Sequence, residues 1–103
     1  MVDFTGIYGI EIGRIYIIKN KINNKVYIGK TIHLTKSRWN QHINDLNKNK
    51  HCNSGLQRDW NLYGKEFFDF SLLECVRHEL INDYENKWIK AYKDNCYNIV
   101  GGK

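Results

Sequence analysis

The sequence predicts a small mixed α/β sandwich, a three-stranded and mainly antiparallel sheet flanked by helices in the order β-β-α-α-β-α. Two short β-branched runs, Arg14-Ile15-Tyr16-Ile17-Ile18 and Val26-Tyr27-Ile28-Gly29, are separated by residues 20–25, which carry turn chemistry. Apolar residues then recur at helical spacing in three later stretches. Between the second and third of these lies one aromatic-rich, partly alternating run.

The elements follow in order. Strands are expected near residues 13–19 and 25–30, and the hairpin between them sets Tyr16 and Tyr27 side by side at one end of the sheet. A helix is expected over residues 35–48, with Thr35 as N-cap and Trp39, Ile43 and Leu46 as its buried face. Arg38 and His42, four residues apart, are expected on the face that turns away from Trp39 and Ile43. After a polar loop, Ser54 is expected to cap a second helix lined by Leu56, Trp60 and Tyr63, with Gly64 as its stop. Residues 67–76 read as a central strand. A third helix over residues 78–92 carries Ile81, Tyr84, Trp88 and Ala91 as one stripe, with Glu85 beside it.

Length and composition narrow the function. A chain of 103 residues is one domain, burying roughly two-thirds of the surface its unfolded form exposes. A formal charge of +5, with a pI of about 9.1, favours a polyanionic partner such as nucleic acid. Three cysteines without a CxxC pair indicate neither a disulfide framework nor a zinc knuckle. The first residues lack a basic start and an apolar stretch, and no apolar run approaches the ~20 residues that a membrane span needs. The expectation is an intracellular protein of the cytoplasm, with no membrane partner. The abundance of Asn, Lys and Ile fits an AT-rich genome such as that of a phage.

The chemistry-bearing residues suit phosphodiester hydrolysis, which needs a base for water, cations for the charge that develops on phosphate, and usually a divalent metal. Arginine grips phosphate in a fork that lysine cannot reproduce, which nominates Arg38. Glu85 is an acidic residue pressed close to an apolar stripe, an unusual place for a charge without a role. One carboxylate suits a single Mg²⁺ whose shell is completed by water and phosphate oxygens.

Ile15-Tyr16, Val26-Tyr27-Ile28-Gly29, Arg38-Trp39-Asn40-Gln41-His42, Tyr63-Gly64, Phe68-Asp69-Phe70, Glu85-Asn86-Lys87-Trp88-Ile89 and Tyr97-Asn98, in that order, resemble the GIY-YIG nucleases. The chain is most similar to the catalytic domains of phage intron-encoded homing endonucleases and their free-standing relatives, over residues 13–101. The resemblance implies a nuclease domain over residues 14–103 behind an N-terminal extension at 1–13. It implies Tyr16 as the general base for water or the closest partner of that base, Tyr27 as the group that orients the water or lowers the proton affinity of Tyr16, and Arg38 as the clamp on the scissile phosphate. His42 and His51 match polar assistants of the homing branch, and Glu85 matches the metal ligand. Asn98 is expected to position the active-site backbone or phosphate, and Gly29, Lys30 and His51 to face substrate. The metal is expected to be Mg²⁺, with Mn²⁺ as a substitute.

One departure stands out: the first motif reads Arg14-Ile15-Tyr16, where the family name expects glycine. A literal Gly6-Ile7-Tyr8 lies too far before Tyr27 for the short hairpin and is read as a decoy. Trp39, Trp60 and Trp88 fall on apolar stripes and are read as core, and the lysines at positions 48, 50, 65, 87, 90 and 93 as a solvated surface. His51 and Cys52 with Cys75 or Cys96 do not have zinc spacing.

Two readings follow, a metal-dependent DNA endonuclease that nicks one strand per active site, and a non-cleaving nucleic-acid-binding module of the same fold. Tyr16, Arg38 and Glu85 are all retained, which favours the enzyme. No helix-turn-helix or zinc finger follows the last motif, so either a separate domain or protein supplies sequence recognition or the chain works alone with at most a short sequence preference near the cut, as a monomer or as a transient dimer on DNA.

Overall fold

The computed structural model describes residues 12–98. In chain order these form β1 (Ile12–Asn20), β2 (Val26–Thr31), α1 (Thr35–Asn47), α2 (Ser54–Tyr63), β3 (Phe68–Arg77) and α3 (Ile81–Ala91), with 3-10 turns before β3, before α3 and after it. The Gly6-Ile7-Tyr8 run lies outside the described residues. Ile12 and Gly13 belong to β1 rather than to an extension in front of it.

The sheet is antiparallel, in the order β2-β1-β3. Residues 67–76 therefore do not supply the central strand; β1 does. Ile15 to Ile18 are buried on both faces, the signature of a strand covered on both sides, whereas β3 fully buries only Phe68 and runs along an edge. Its aromatic content reads as central because Phe68 and Phe70 pack against the same cluster as Tyr16. One face of the sheet carries Tyr16, Ile18 and Tyr27 against Leu46, Leu56 and Trp60 of α1 and α2. The other carries Ile15, Ile17, Val26 and Ile28 against Ile81 and Ile89 of α3. The result is the expected sandwich of helices on both faces.

The hairpin is held by asparagines. The Asn20 side chain accepts from the Ile22 N–H and the Asn23 side chain from the Lys25 N–H, each at 2.9 Å, while Asn24 takes φ 63°, a conformation that asparagine tolerates. Two caps differ from expectation. Leu34 rather than Thr35 precedes α1, and Thr35 is buried in the first turn. Asn53 rather than Ser54 caps α2, its side-chain oxygen accepting from the Leu56 N–H at 2.9 Å; Gly64 ends that helix at φ 96°. On α3 the fully buried residues are Ile81 and Ile89, Ala91 is exposed, and 78–80 form a 3-10 turn rather than helix. Among the described residues no helix is long and apolar enough to cross a membrane.

Candidate active site

Strand register places the two phenols. Tyr16 pairs with Gly29 and Ile18 with Tyr27, so Tyr16 and Tyr27 stand two residues apart on the same face of neighbouring strands. Gly29 is there because the Tyr16 ring lies across it: a Cβ at position 29 would come within 2.2 Å of Tyr16 Cζ. This packing need is separate from the expected role of Gly29 in facing substrate. Since the Tyr16 ring is fully buried and cannot swing aside, Gly29→Ala is expected to lose about 1–3 kcal/mol of stability by overpacking and to displace the Tyr16 hydroxyl. Urea denaturation beside a nicking assay checks it, and wild-type values in both would refute this packing. On the other side of Tyr16 the β1–β3 pairing shifts register, with Leu73 as the extra residue of a bulge, a device common beside active sites.

His42 corrects the reading of α1. It is 2% exposed, on the same inner face as Leu46 rather than turned away from the core, and its ring contacts those of Tyr16 and Tyr27 edge-on. Its Nε2 lies 2.5 Å from the Tyr16 hydroxyl oxygen and its Nδ1 2.7 Å from Nε2 of His51. The chain of bonds has a direction. The Asn53 backbone N–H donates to His51 Nδ1 at 3.0 Å, so a neutral His51 carries its proton on Nε2 and donates to His42 Nδ1. His42 then carries its own proton on Nε2 and donates to Tyr16. The phenol oxygen is thus an acceptor from His42, and its hydroxyl proton is left to point elsewhere.

Burial, with Arg38 and His51 adding to it, pulls His42 down to about 3, which keeps the ring neutral. Burial also lowers His51, opposed by Asp45. Burial raises the Tyr16 phenol above its ordinary range, and the Arg38 guanidinium pulls it back. Burial likewise pushes Tyr27 up to about 12. A pH dependence of stability follows from His42. Unfolded, the ring takes a proton near 6.5, while folded it does not until about 3, so stability is complete above 6.5 and falls as pH drops towards 3. By pH 5 the loss from this one ring is about 2 kcal/mol. Urea midpoints at pH 7 and pH 5 check it; the drop should shrink in His42→Gln, and an equal drop in that variant would contradict the assignment.

Tyr16, Tyr27, Gly29, Arg38, Glu85 and Asn98 meet Lys30 around one cleft of about 200 Å³. The edge of β2 that does not pair with β1 is met by Tyr97 and Asn98. Tyr97 donates its N–H to Val26 O at 2.7 Å, and the Asn98 side chain both accepts from the Ile28 N–H at 2.7 Å and donates to the Ile28 carbonyl at 2.8 Å. Asn98 therefore positions the backbone between Tyr27 and Gly29. Glu85 sits on α3 between Ile81 and Ile89, 13% exposed, with Oε1 3.1 Å from the Lys30 ammonium. Lys30 also donates to the Asn82 side chain. His51 lies behind the cleft as the outer member of the histidine chain and does not line it.

The Glu85 carboxylate, expected to hold a metal, pairs here with the Lys30 ammonium, and a single carboxylate is a donor that suits a hard cation. Among the described residues no three His, Cys, Asp or Glu side chains gather to hold an ion, so a zinc-like cage around His51 and Cys52 is absent there. Two residues of the cleft were not foreseen, Cys52 and Asn53. The spacing of Asn53 before Leu56 is an N-cap signal that would have found the second, whereas a lone cysteine carries none.

Known proteins match this arrangement. The family model of the GIY-YIG catalytic domain matches residues 12–98. The "Intron-associated endonuclease 1" of Enterobacteria phage T4 is 46% identical over 90 residues, covering 84% of this chain and 36% of that protein. The "Probable intron-encoded endonuclease 1" of Neurospora crassa is 33% identical over 97 residues, covering 84% of this chain and 30% of that protein. The chain thus spans about a third of the length of these curated relatives. Among solved structures, a mutant of the catalytic domain of intron endonuclease I-TevI superposes with a TM-score of 0.79 at 40% identity, covering 89% of this chain and 97% of that one.

Proposed function

The chain belongs to the GIY-YIG family, and from that premise we propose that it is a metal-dependent DNA endonuclease that nicks one strand per active site. The observation that carries the reading is the Tyr16 oxygen, which receives the His42 Nε2–H inside a cleft shared with Arg38 and Glu85. A phenol oxygen facing donors is prepared to bear negative charge, and a phenolate is a base for water.

In this reading Tyr16 takes a proton from water, and the resulting hydroxide attacks phosphorus as the bond to the leaving oxygen breaks. His42 and Arg38 stabilise the phenolate beforehand, and Arg38 also holds the scissile phosphate. Tyr27 orients the water, Lys30 adds charge beside the phosphate, and Asn98 keeps the Tyr27–Gly29 backbone in place. Mg²⁺ at Glu85, with Mn²⁺ as a substitute, supplies Lewis-acid charge to the phosphate oxygens when bound. The proposal includes a separate segment or protein for sequence recognition and an intracellular site of action.

Supercoiled plasmid tests it. With Mg²⁺ the chain should yield open circles before linear product, with Mn²⁺ the same, and with a chelator neither. One active site handles one phosphodiester, so the linear form needs a second encounter or a transient dimer. Retarded but uncut plasmid would establish the non-cleaving module instead. Discrete linear fragments from a single site at low enzyme would refute strand-by-strand nicking.

A further inference from the structure

Arg14 stands where the family's first motif has glycine, and the chemistry above makes no use of it. It lies on the central strand, 1% exposed and paired with Thr31 of β2. Its Nη1 donates to the His33 carbonyl at 3.0 Å, while Thr31 Oγ1 accepts from the His33 N–H at 3.0 Å. Both polar backbone groups of His33 are therefore tied, and the connection between β2 and α1 is braced from below. That braced connection is nonetheless surface, with Ile32 46% and Leu34 43% exposed.

The connection forms one wall of a second groove, of about 400 Å³, whose other wall is α1. Arg38 lines both this groove and the catalytic cleft, so the groove begins at the phosphate clamp. Among the described residues no carboxylate lines it, which suits a polyanion. On its α1 side stand Ser37, Asn40, Gln41 and Asn44, spaced to share one helix face. A solvated helix face is usually charged. Side-chain amides instead donate and accept at once, as base edges require, whereas charges answer mainly to phosphates. Gln41 is partly committed, its Oε1 accepting from Arg38 Nη1 at 2.5 Å, which leaves Asn40 and Asn44 as the readers.

We propose that this groove seats the DNA strand flanking the scissile phosphate and that Asn40 and Asn44 read its base edges, giving the chain a short sequence preference beside the cut. Arg14 is a positioning residue that holds the facing wall. The inference rests on the endonuclease reading, and sequencing nick positions across a randomised duplex library separates the two. Wild type should favour particular bases on one side of the nick. In an Asn40→Ala, Asn44→Ala double variant, the ratio of best to median sites should fall about tenfold while total nicking of plasmid is kept. Arg14→Gly should flatten the pattern in the same direction with kcat on plasmid retained; if it does not fold, the exposed double variant decides alone. An even wild-type pattern, or one unchanged in the double variant, overturns the groove and leaves the nuclease standing. No nicking by wild type overturns the endonuclease reading and the groove with it.

Discussion

Tyr16→Phe is expected to lower nicking by at least about 100-fold while the protein stays folded, because the change removes one oxygen and leaves the ring. That ring is fully buried and packs edge-on against Trp39, so its apolar contribution survives the substitution. What the variant loses is the acceptor for His42, leaving one buried N–H without a partner at about 1–3 kcal/mol of stability. The same assignment fixes the pH profile. Burial holds the Tyr16 phenol above its ordinary range, so phenolate is scarce at neutral pH and nicking should climb towards alkaline pH, about tenfold per unit while the phenol titrates. No limb from His42 should appear near pH 6, since that ring stays neutral down to about 3. Plasmid nicking timed from pH 6 to 10 measures both. A flat profile, or a harmless Tyr16→Phe beside a damaging Tyr8→Phe, would move the base elsewhere.

The element order was legible because the hairpin, the three helical stripes and the Gly64 stop are local signals. What was not legible is non-local. The run at residues 67–76 resembles a central strand, and only the sheet order shows that β1 holds the middle, because strand neighbours are chosen by packing rather than by the strand's own composition. His42 was assigned to the outer side of α1 because histidine on a helix is usually wet. Its burial is decided by partners 26 residues earlier and 9 later in the chain, at Tyr16 and His51. Gly29 was expected to face substrate, and no sequence pattern says that a cross-strand ring will lie upon it. Within the cleft, Tyr16, Arg38 and Glu85 could be nominated by chemistry and by family resemblance together, whereas the Lys30 partnership with Glu85 depends on how α3 meets the edge of β2.

Glu85→Ala is expected to abolish nicking, lowering it roughly a thousandfold or more, while DNA binding stays near wild type. The two effects separate because different groups supply them. In the proposed reading, affinity for DNA comes from Arg38, Lys30 and the surrounding positive charge, so removing a carboxylate from the cleft should not weaken it and should free the Lys30 ammonium. Stability should change little as well. Glu85 is not part of the apolar seam that Ile81 and Ile89 make with Ile15, Ile17 and Ile28, and its ion pair with Lys30 involves a lysine that is itself exposed. Glu85→Gln should match the alanine variant in activity, since an amide keeps the shape but supplies no negative charge for a hard cation. Retardation of labelled duplex across a salt series should give the same steep slope for wild type and both variants, which reports phosphate contacts alone. Full nicking by Glu85→Ala in Mg²⁺ would remove Glu85 from the metal site. Loss of binding and of the folded state together with activity would make it a structural residue of α3.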